Sequence, residues 1–284
     1  MDAPFEQLCS LLQTKRVVVL TGAGCSTESG IPDYRGQGRP ERPRAPIQHD
    51  AFVRSAEARQ RYWARATVGW ARFSTFGPNA AHRALAALED RGHIVGVITQ
   101  NVDRLHHEAG SRRVVELHGA LADVVCLGCG RITPRTDAHA RLVQANPDWL
   151  ALASAYAPDG DAEIAVERVR EFRVVDCVTC GGPLKPHVVF FGGSVAPATL
   201  SAAWGLLDEA EALLVLGSSL AVYSGFRFAR RAASEGKPIA IVNQGPTRAD
   251  ALELHVRLDA RLGELLPRLA AQLASTASGG EPGP

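Results

Sequence analysis

The sequence lacks an excess of either charge. Lys and Arg number 31 against 30 Asp and Glu in 284 residues, a formal net charge of +1. Such a chain has no global basic field to hold a polyanion, which argues against nucleic acid as a partner. It also lacks any apolar run approaching the roughly 20 residues that span a bilayer, so no membrane is expected as a partner. The start, Met1-Asp2-Ala3-Pro4, carries neither a basic n-region nor an Arg-rich transit pattern. Together these absences predict a cytoplasmic protein. The six cysteines are too sparse for a secreted disulfide framework, which is usually a much shorter chain. What is present is ordinary globular material, 46% apolar and 21% charged, which excludes disorder, collagen-like repeats and coiled coil. The length suits one large domain or two modest ones.

Four short β-branched runs stand out: Arg16–Leu20, His93–Thr99, Ala212–Leu216 and Pro238–Val242. Each is followed by small or amide-bearing residues, in turn Thr21-Gly22-Ala23-Gly24, Gln100-Asn101, Gly217-Ser218-Ser219 and Asn243-Gln244-Gly245. Stretches with helical spacing lie between them, at Ala80–Arg91, Leu200–Glu211 and Tyr223–Glu235. This alternation predicts an α/β fold, a doubly wound parallel sheet of Rossmann-like form. In such sheets ligands bind outside the carboxyl ends of the strands, so the four polar ends should converge on one crevice. Two regions break the alternation and read as insertions that build a smaller domain. We expect the nucleotide-binding domain to span 1–36, 76–120 and 187–274, the small domain 37–75 and 121–186, and a disordered tail 275–284.

The loop Gly22-Ala23-Gly24-Cys25-Ser26-Thr27 follows the first run directly. Glycines let a backbone approach phosphate closely, and a following helix would add free N–H groups and its positive dipole end. The fit to a dinucleotide fingerprint is imperfect, because Thr27 replaces the third glycine and no carboxylate ends the second strand. Taken alone, the loop reads equally well as a structural turn. Ser29-Gly30-Ile31-Pro32-Asp33-Tyr34-Arg35 continues it as a candidate lid, with Arg35 suited to phosphate oxygens and Tyr34 to excluding water. Thr99-Gln100-Asn101-Val102-Asp103 offers amides and an acid to ribose hydroxyls, and Glu116-Leu117-His118-Gly119 offers a histidine that could take a proton from one.

Cys126-x-x-Cys129 and, after forty-seven intervening residues, Cys177-x-x-Cys180 form two knuckles that together supply four thiolates. One closed tetrahedral zinc site follows, structural because no position is left for water. Cys9 and Cys25 are read as free thiols.

These motifs occur together and in order with Val188-Val189-Phe190-Phe191-Gly192 and Gly217-Ser218-Ser219-Leu220, and as a set they resemble the sirtuins, NAD-dependent protein-lysine deacylases. The likeness runs from about Arg16 to about Leu269 and is strongest to class II members of the mitochondrial lipoamidase type. It implies that an acyl group passes from lysine to ADP-ribose, nicotinamide is released, and NAD is consumed as a co-substrate. It further implies His118 as general base, with Asn101 and Asp103 orienting the ribose and carboxamide. Gly22, Ala23, Gly24, Cys25, Thr27, Asp33, Tyr34, Arg35 and Gln100 would complete that half of the NAD site. Gly217, Ser218, Ser219, Asn243, Gln244, Gly245 and Leu262 would hold the adenosine half. Acylated protein lysines would bind as an extended strand along Val188–Gly192. Tyr62 and Arg65, three apart on one helix face, could receive a carboxylated acyl group. The sequence departs from the family's usual pattern at Cys25, where isoleucine is common, and at Tyr34, Gly193 and Tyr223. Mono-ADP-ribosyl transfer to protein stays open as an alternative, as do a zinc-containing NAD oxidoreductase and a zinc-ribbon interaction module.

Overall fold

A computed structural model of the chain describes residues 3–33, 47–152 and 166–277. In chain order the elements begin with α1 (Ala3–Thr14), β1 (Val17–Thr21), α2 (His49–Arg54), α3 (Ala56–Phe73), α4 (Ala80–Asp90) and β2 (Ile94–Thr99). Then come α5 (Leu105–Glu108), β3 (Val114–Glu116), β4 (Gly119–Cys126), β5 (Ile132–Pro134), α6 (Arg135–Ala145), α7 (Val166–Val169) and β6 (Leu184–Val188). The last are α8 (Pro197–Glu209), β7 (Ala212–Leu216), α9 (Tyr223–Ser234), β8 (Ile239–Val242), β9 (Val256–Leu258) and α10 (Leu262–Ala277).

The chain divides into two compact units. The first takes the described residues of Met1–Ser29, Gly77–Leu117 and Val195–Pro284. Its six strands pair in the order β3-β2-β1-β7-β8-β9, every pair parallel. Strand side chains alternate between faces, and the burial follows. Val17 and Val19 join one cluster with Leu85, Leu88, Leu266 and Leu269, while Val18 and Leu20 join another with Leu206, Leu207, Phe228 and Ala229. Helices therefore cover both faces, and continuous apolar strands are the consequence. The strand order reverses at β1, which leaves the ends of β2, β1, β7 and β8 side by side as the sequence pattern predicts.

The second unit takes the described residues of Gly30–Phe76 and His118–Ser194. A three-stranded antiparallel sheet, β5-β4-β6, packs with α3 and α6 around Phe52, Trp63, Trp149, Phe172 and Phe190. Buried indoles find acceptors: Nε1 of Trp63 donates to the Leu184 carbonyl at 3.0 Å and Nε1 of Trp149 to the Ala64 carbonyl at 2.8 Å.

Several expected boundaries need correction: the described residues 30–33, 76 and 118–120, expected in the nucleotide-binding domain, fall in the second unit. Residues 187–194 fall in the second unit rather than the nucleotide-binding one, because β6 pairs with β4 and the chain after it stays on that sheet. The expected disordered tail begins too early, since α10 continues through Ser275 to Ala277. The remainder of that tail lies outside the described residues.

Candidate functional site

The glycine loop leaves β1 and meets the loop after β7. N–H of Gly22 donates to the Leu216 carbonyl at 3.1 Å and N–H of Gly24 to the Gly217 carbonyl at 2.9 Å. Gly217 has φ +58, and a Cβ there would lie 2.6 Å from the Cys25 nitrogen; a Cβ on Gly22 would lie 2.7 Å from the Ser218 Cβ. The glycines are thus required first by two loops crossing at backbone contact, a demand invisible in the motif itself. The expected helix after the loop is absent. Two single 3-10 turns, Ala23–Cys25 and Thr27–Ser29, stand there, ended by Gly30 at φ +92 and by Pro32. The dipole of a long helix therefore does not serve this loop.

Asn101, Ser26 and Asp103 form a relay at the end of β2. Nδ2 of Asn101 donates to Ser26 Oγ at 3.0 Å, and Ser26 Oγ donates to Asp103 Oδ2 at 2.6 Å. The other Asp103 oxygen accepts the Leu105 N–H at 3.0 Å. Between them Arg104 sits at φ +66, backbone strain of the kind that gathers at functional sites. Ser26, a member of the glycine-loop motif to which the sequence assigns no role of its own, carries the relay. Gln100 spans neighbouring strand ends instead, donating from Nε2 to Ser218 Oγ at 2.8 Å and to the Thr21 carbonyl at 3.3 Å.

Beneath the loop lies a buried polar floor. Thr21 Oγ1 donates to Thr99 Oγ1 at 2.8 Å and meets His106 Nε2 at 3.0 Å. The Asn79 amide donates to the Cys25 carbonyl at 2.8 Å, and its Oδ1 caps α4. Burial pushes the Cys25 thiol up, with Asp103 adding to the shift, and holds His82 down to about 4. The sequence assigns Thr21, Asn79, His82 and His106 no role in this floor. Only the Asn-x-x-His spacing of a capping box could have found His82.

The expected adenosine contacts divide. Ser218 is buried and Ser219 half-buried. Nδ2 of Asn243 donates to the carbonyls of Gln244 and Gly245 at 2.9 and 3.0 Å, shaping its own turn, and Gln244 and Gly245 are exposed. Arg257, which nothing in the sequence marked, pins that turn through the Asn243 carbonyl at 3.0 Å and the Gly245 carbonyl at 2.6 Å. The Leu262 side chain is buried in the core at the head of α10. Thr27 is exposed, and Tyr34 and Arg35 lie outside the described residues.

In the second unit His118 is followed by Gly119 at φ +75, where a Cβ would lie 2.0 Å from the His187 carbonyl. This close approach lets the His118 carbonyl accept the Val189 N–H at 2.9 Å, so the expected base and the expected peptide segment share one hydrogen bond. Phe191 carries on alongside Gln48, its carbonyl accepting the His49 N–H at 2.9 Å. Phe190 is buried against Phe52 and Tyr62 at ring distances of 5.2 and 5.3 Å, whereas Phe191 is exposed. Tyr62 belongs to this aromatic cluster, with Arg65 half-buried one turn on. Lys185 donates to the Pro186 carbonyl at 3.0 Å and to that of Val188, and lies 4.4 Å from the Phe190 ring centre; burial lowers its pKa to about 8.

The four knuckle cysteines meet in the same unit, their sulfurs all within 4.8 Å of one another. Two separations are 3.5 Å, Cys126 to Cys180, and 3.9 Å, Cys129 to Cys177. Four thiolates at about 2.3 Å from zinc stand roughly 3.8 Å apart, so the set fits a tetrahedral ion. N–H groups of Thr179 and Cys180 hold the Cys177 thiol down to about 6. The Gly182 N–H favours thiolate at Cys180, but the sulfurs of Cys126 and Cys129 outweigh it and raise that group to about 12. Accumulating negative charge is what a dication relieves.

Residues 22–224 match the family model described as Sir2 family. The chain belongs to the Sir2 family. It is 54% identical over 257 residues to the human NAD-dependent protein lipoamidase sirtuin-4, mitochondrial, covering 89% of this chain and 82% of that protein. It is 50% identical over 273 residues to NAD-dependent protein deacetylase 1 of Mycobacterium avium, covering 94% and 95%. Among solved structures, a Sir2–p53 peptide–NAD+ complex superimposes with a TM-score of 0.74 at 30% identity, over 97% of this chain and 100% of that one. Among the described residues no helix is long and apolar enough to cross a membrane.

Proposed function

We propose that this Sir2 chain removes acyl groups from protein lysines, with NAD as co-substrate and one structural zinc. The observation that carries the reading is the Asn101–Ser26–Asp103 relay at the sheet's switch point, in a chain that shares half its residues with named deacetylases and a lipoamidase. Bound NAD would supply a ribose carbon carrying a cationic nicotinamide leaving group, the electrophile that the acyl oxygen attacks. The relay presents an amide and a carboxylate whose rotamers are fixed by each other, as orientation of ribose hydroxyls and a carboxamide requires. His118 takes the proton from a ribose hydroxyl as the acyl group moves. An extended acyl-lysine peptide runs along 188–192, where exposed Phe191 offers an apolar contact. Gly22, Ala23, Gly24 and Thr27 with Asp33, Tyr34 and Arg35 serve the pyrophosphate region, and Ser218, Ser219 and the turn 243–245 the adenosine half. Tyr62 and Arg65 select among acyl groups. The cytoplasmic location expected from the sequence belongs to the same proposal and rests on the likeness to bacterial deacetylases.

One incubation tests it. NAD and acetyl-, lipoyl- or glutaryl-lysine peptides are mixed with the protein and followed for free nicotinamide, reduced nicotinamide and protein-bound ADP-ribose. Nicotinamide release that requires an acylated peptide and matches deacylation one for one is expected. Reduced nicotinamide would mark an oxidoreductase, ADP-ribose on protein a transferase, and no turnover of NAD a binding module.

A further inference from the structure

The buried floor of the glycine loop holds three potential ligands, one thiol and two imidazoles, that the acyl-transfer reading leaves without a reacting role. Cys25 Sγ lies 3.9 Å from His82 Nε2, and the His82 and His106 rings meet edge to face at 4.8 Å. One ligand atom from each of the three residues lies within 4.8 Å of the other two. None of the three side chains is more than 1% exposed.

His106 meets Thr21 Oγ1 through Nε2 at 3.0 Å, a contact that Thr21 accepts when the ring's proton is on Nε2. In that tautomer neutral His106 carries its bare lone pair on Nδ1. That atom is buried and has no hydrogen-bond partner among the described residues. A bare, dry imidazole nitrogen beside a second imidazole and a thiol is a metal-ligand set rather than a hydrogen-bonding one.

We propose that Cys25, His82 and His106 form a second metal site, for a soft monovalent cation of the copper(I) class. Bonds of about 2.0–2.3 Å put ligand atoms roughly 3.3–4 Å apart around a three-coordinate ion, which the 3.9 Å sulfur–nitrogen separation already meets. Thiolate selects soft cations, and one thiolate with two imidazoles gives three ligands where zinc prefers four. On uptake the Cys25 S–H bond breaks, a sulfur–metal bond forms and the proton leaves to solvent. A monovalent ion therefore replaces a proton charge for charge, and no electron moves. A dication would add a charge in a site with no water. His82 supplies the cost. Its Nδ1 accepts the Asn79 N–H at 3.3 Å, which places its proton on Nε2. Metal at Nε2 moves that proton to Nδ1 and releases the Asn79 N–H, loosening the first turn of α4.

The test is a metal count. Protein carrying one zinc per chain is titrated anaerobically with buffered copper(I), alongside Cys25→Ile checked for the same zinc content and thermal midpoint. The wild type should bind one more copper per chain than the variant while both keep their zinc. X-ray absorption of the wild-type copper should show one sulfur and two nitrogens, a readout that stands even if the variant does not fold. Equal copper uptake by the two proteins, or a copper shell of sulfur alone, overturns the site. Neither readout depends on NAD turnover, so the result is separate from the proposed activity.

Discussion

At the ends of β1 and β2 hydroxyl, amide and carboxylate groups satisfy one another, whereas in the antiparallel unit four sulfurs converge on each other. Asn101, Ser26 and Asp103, and likewise Thr21 and Thr99, pair donors with acceptors at 2.6–3.0 Å. Cys126, Cys129, Cys177 and Cys180 bring four groups of the same kind within 4.8 Å. The first arrangement is stable from the chain alone. The second repels itself as the thiols ionise and needs a cation. The switch point of the parallel sheet is thus held by hydrogen bonds and the antiparallel unit by a metal, and the two should fail under different stresses.

The largest effect should come from stripping zinc. Structural zinc binding contributes about 10–16 kcal/mol in small zinc domains and is folding free energy there. Chelation, or Cys177→Ser, should abolish acyl transfer and shift the emission of Trp63, Trp70 and Trp149, all in the second unit. An unchanged emission and rate in a zinc-free protein would refute a structural role for the metal.

Opposite pH limbs come next, each worth up to about 3 kcal/mol for a shift of this size. His82 is lowered from 6.5 to about 4 in the folded state by burial. Between those values the unfolded chain binds a proton that the folded chain does not, so stability falls as pH drops from 6.5 to 4. Lys185 is lowered from 10.5 to about 8, also by burial. The unfolded chain again binds the extra proton between those values, so stability rises as pH climbs from 8 to 10.5. Urea midpoints across pH should show both limbs, with His82→Gln flattening the acid one and Lys185→Met the alkaline one. A variant that leaves its own limb intact removes that residue from the account.

His118→Ala should lower acyl transfer at least 10²-fold, the order expected for a lost general base, while NAD binding by calorimetry stays within a few-fold. Near-normal turnover would reassign the histidine to structure, since its carbonyl already holds Val189.

The smallest effect concerns acyl choice. Loss of a charged hydrogen bond costs roughly 1.5–3 kcal/mol, so Arg65→Met should slow glutaryl-type peptides by one to two orders of magnitude and spare acetyl and lipoyl ones. An equal loss on every acyl type would leave Arg65 as scaffold for the cluster around Tyr62.

Much of this was legible in the sequence where one physical demand dominates. Val17–Leu20 and Ala212–Leu216 are apolar on both faces because helices cover both, and two close cysteine pairs have few other uses. Where demands overlap, the sequence is ambiguous. Gly22 and Gly24 read as phosphate-loop glycines, yet a Cβ at either would strike the residues around Gly217, which lies nearly two hundred positions on. His82 is a lone histidine on α4 and His106 one of an adjacent pair on the four-residue α5, and only the tertiary packing sets them against Cys25 and Thr21. Arg257 carries no pattern at all, since its work is to bond carbonyls of a distant turn.

Hydrogen exchange read by mass spectrometry, before and after zinc removal, tests the central contrast most directly. The account predicts that amides of β4, β5 and β6 lose their protection while those of β1, β2 and β7 keep it. Uniform loss across both sheets, or protection of β4 and β6 that survives without zinc, would contradict it.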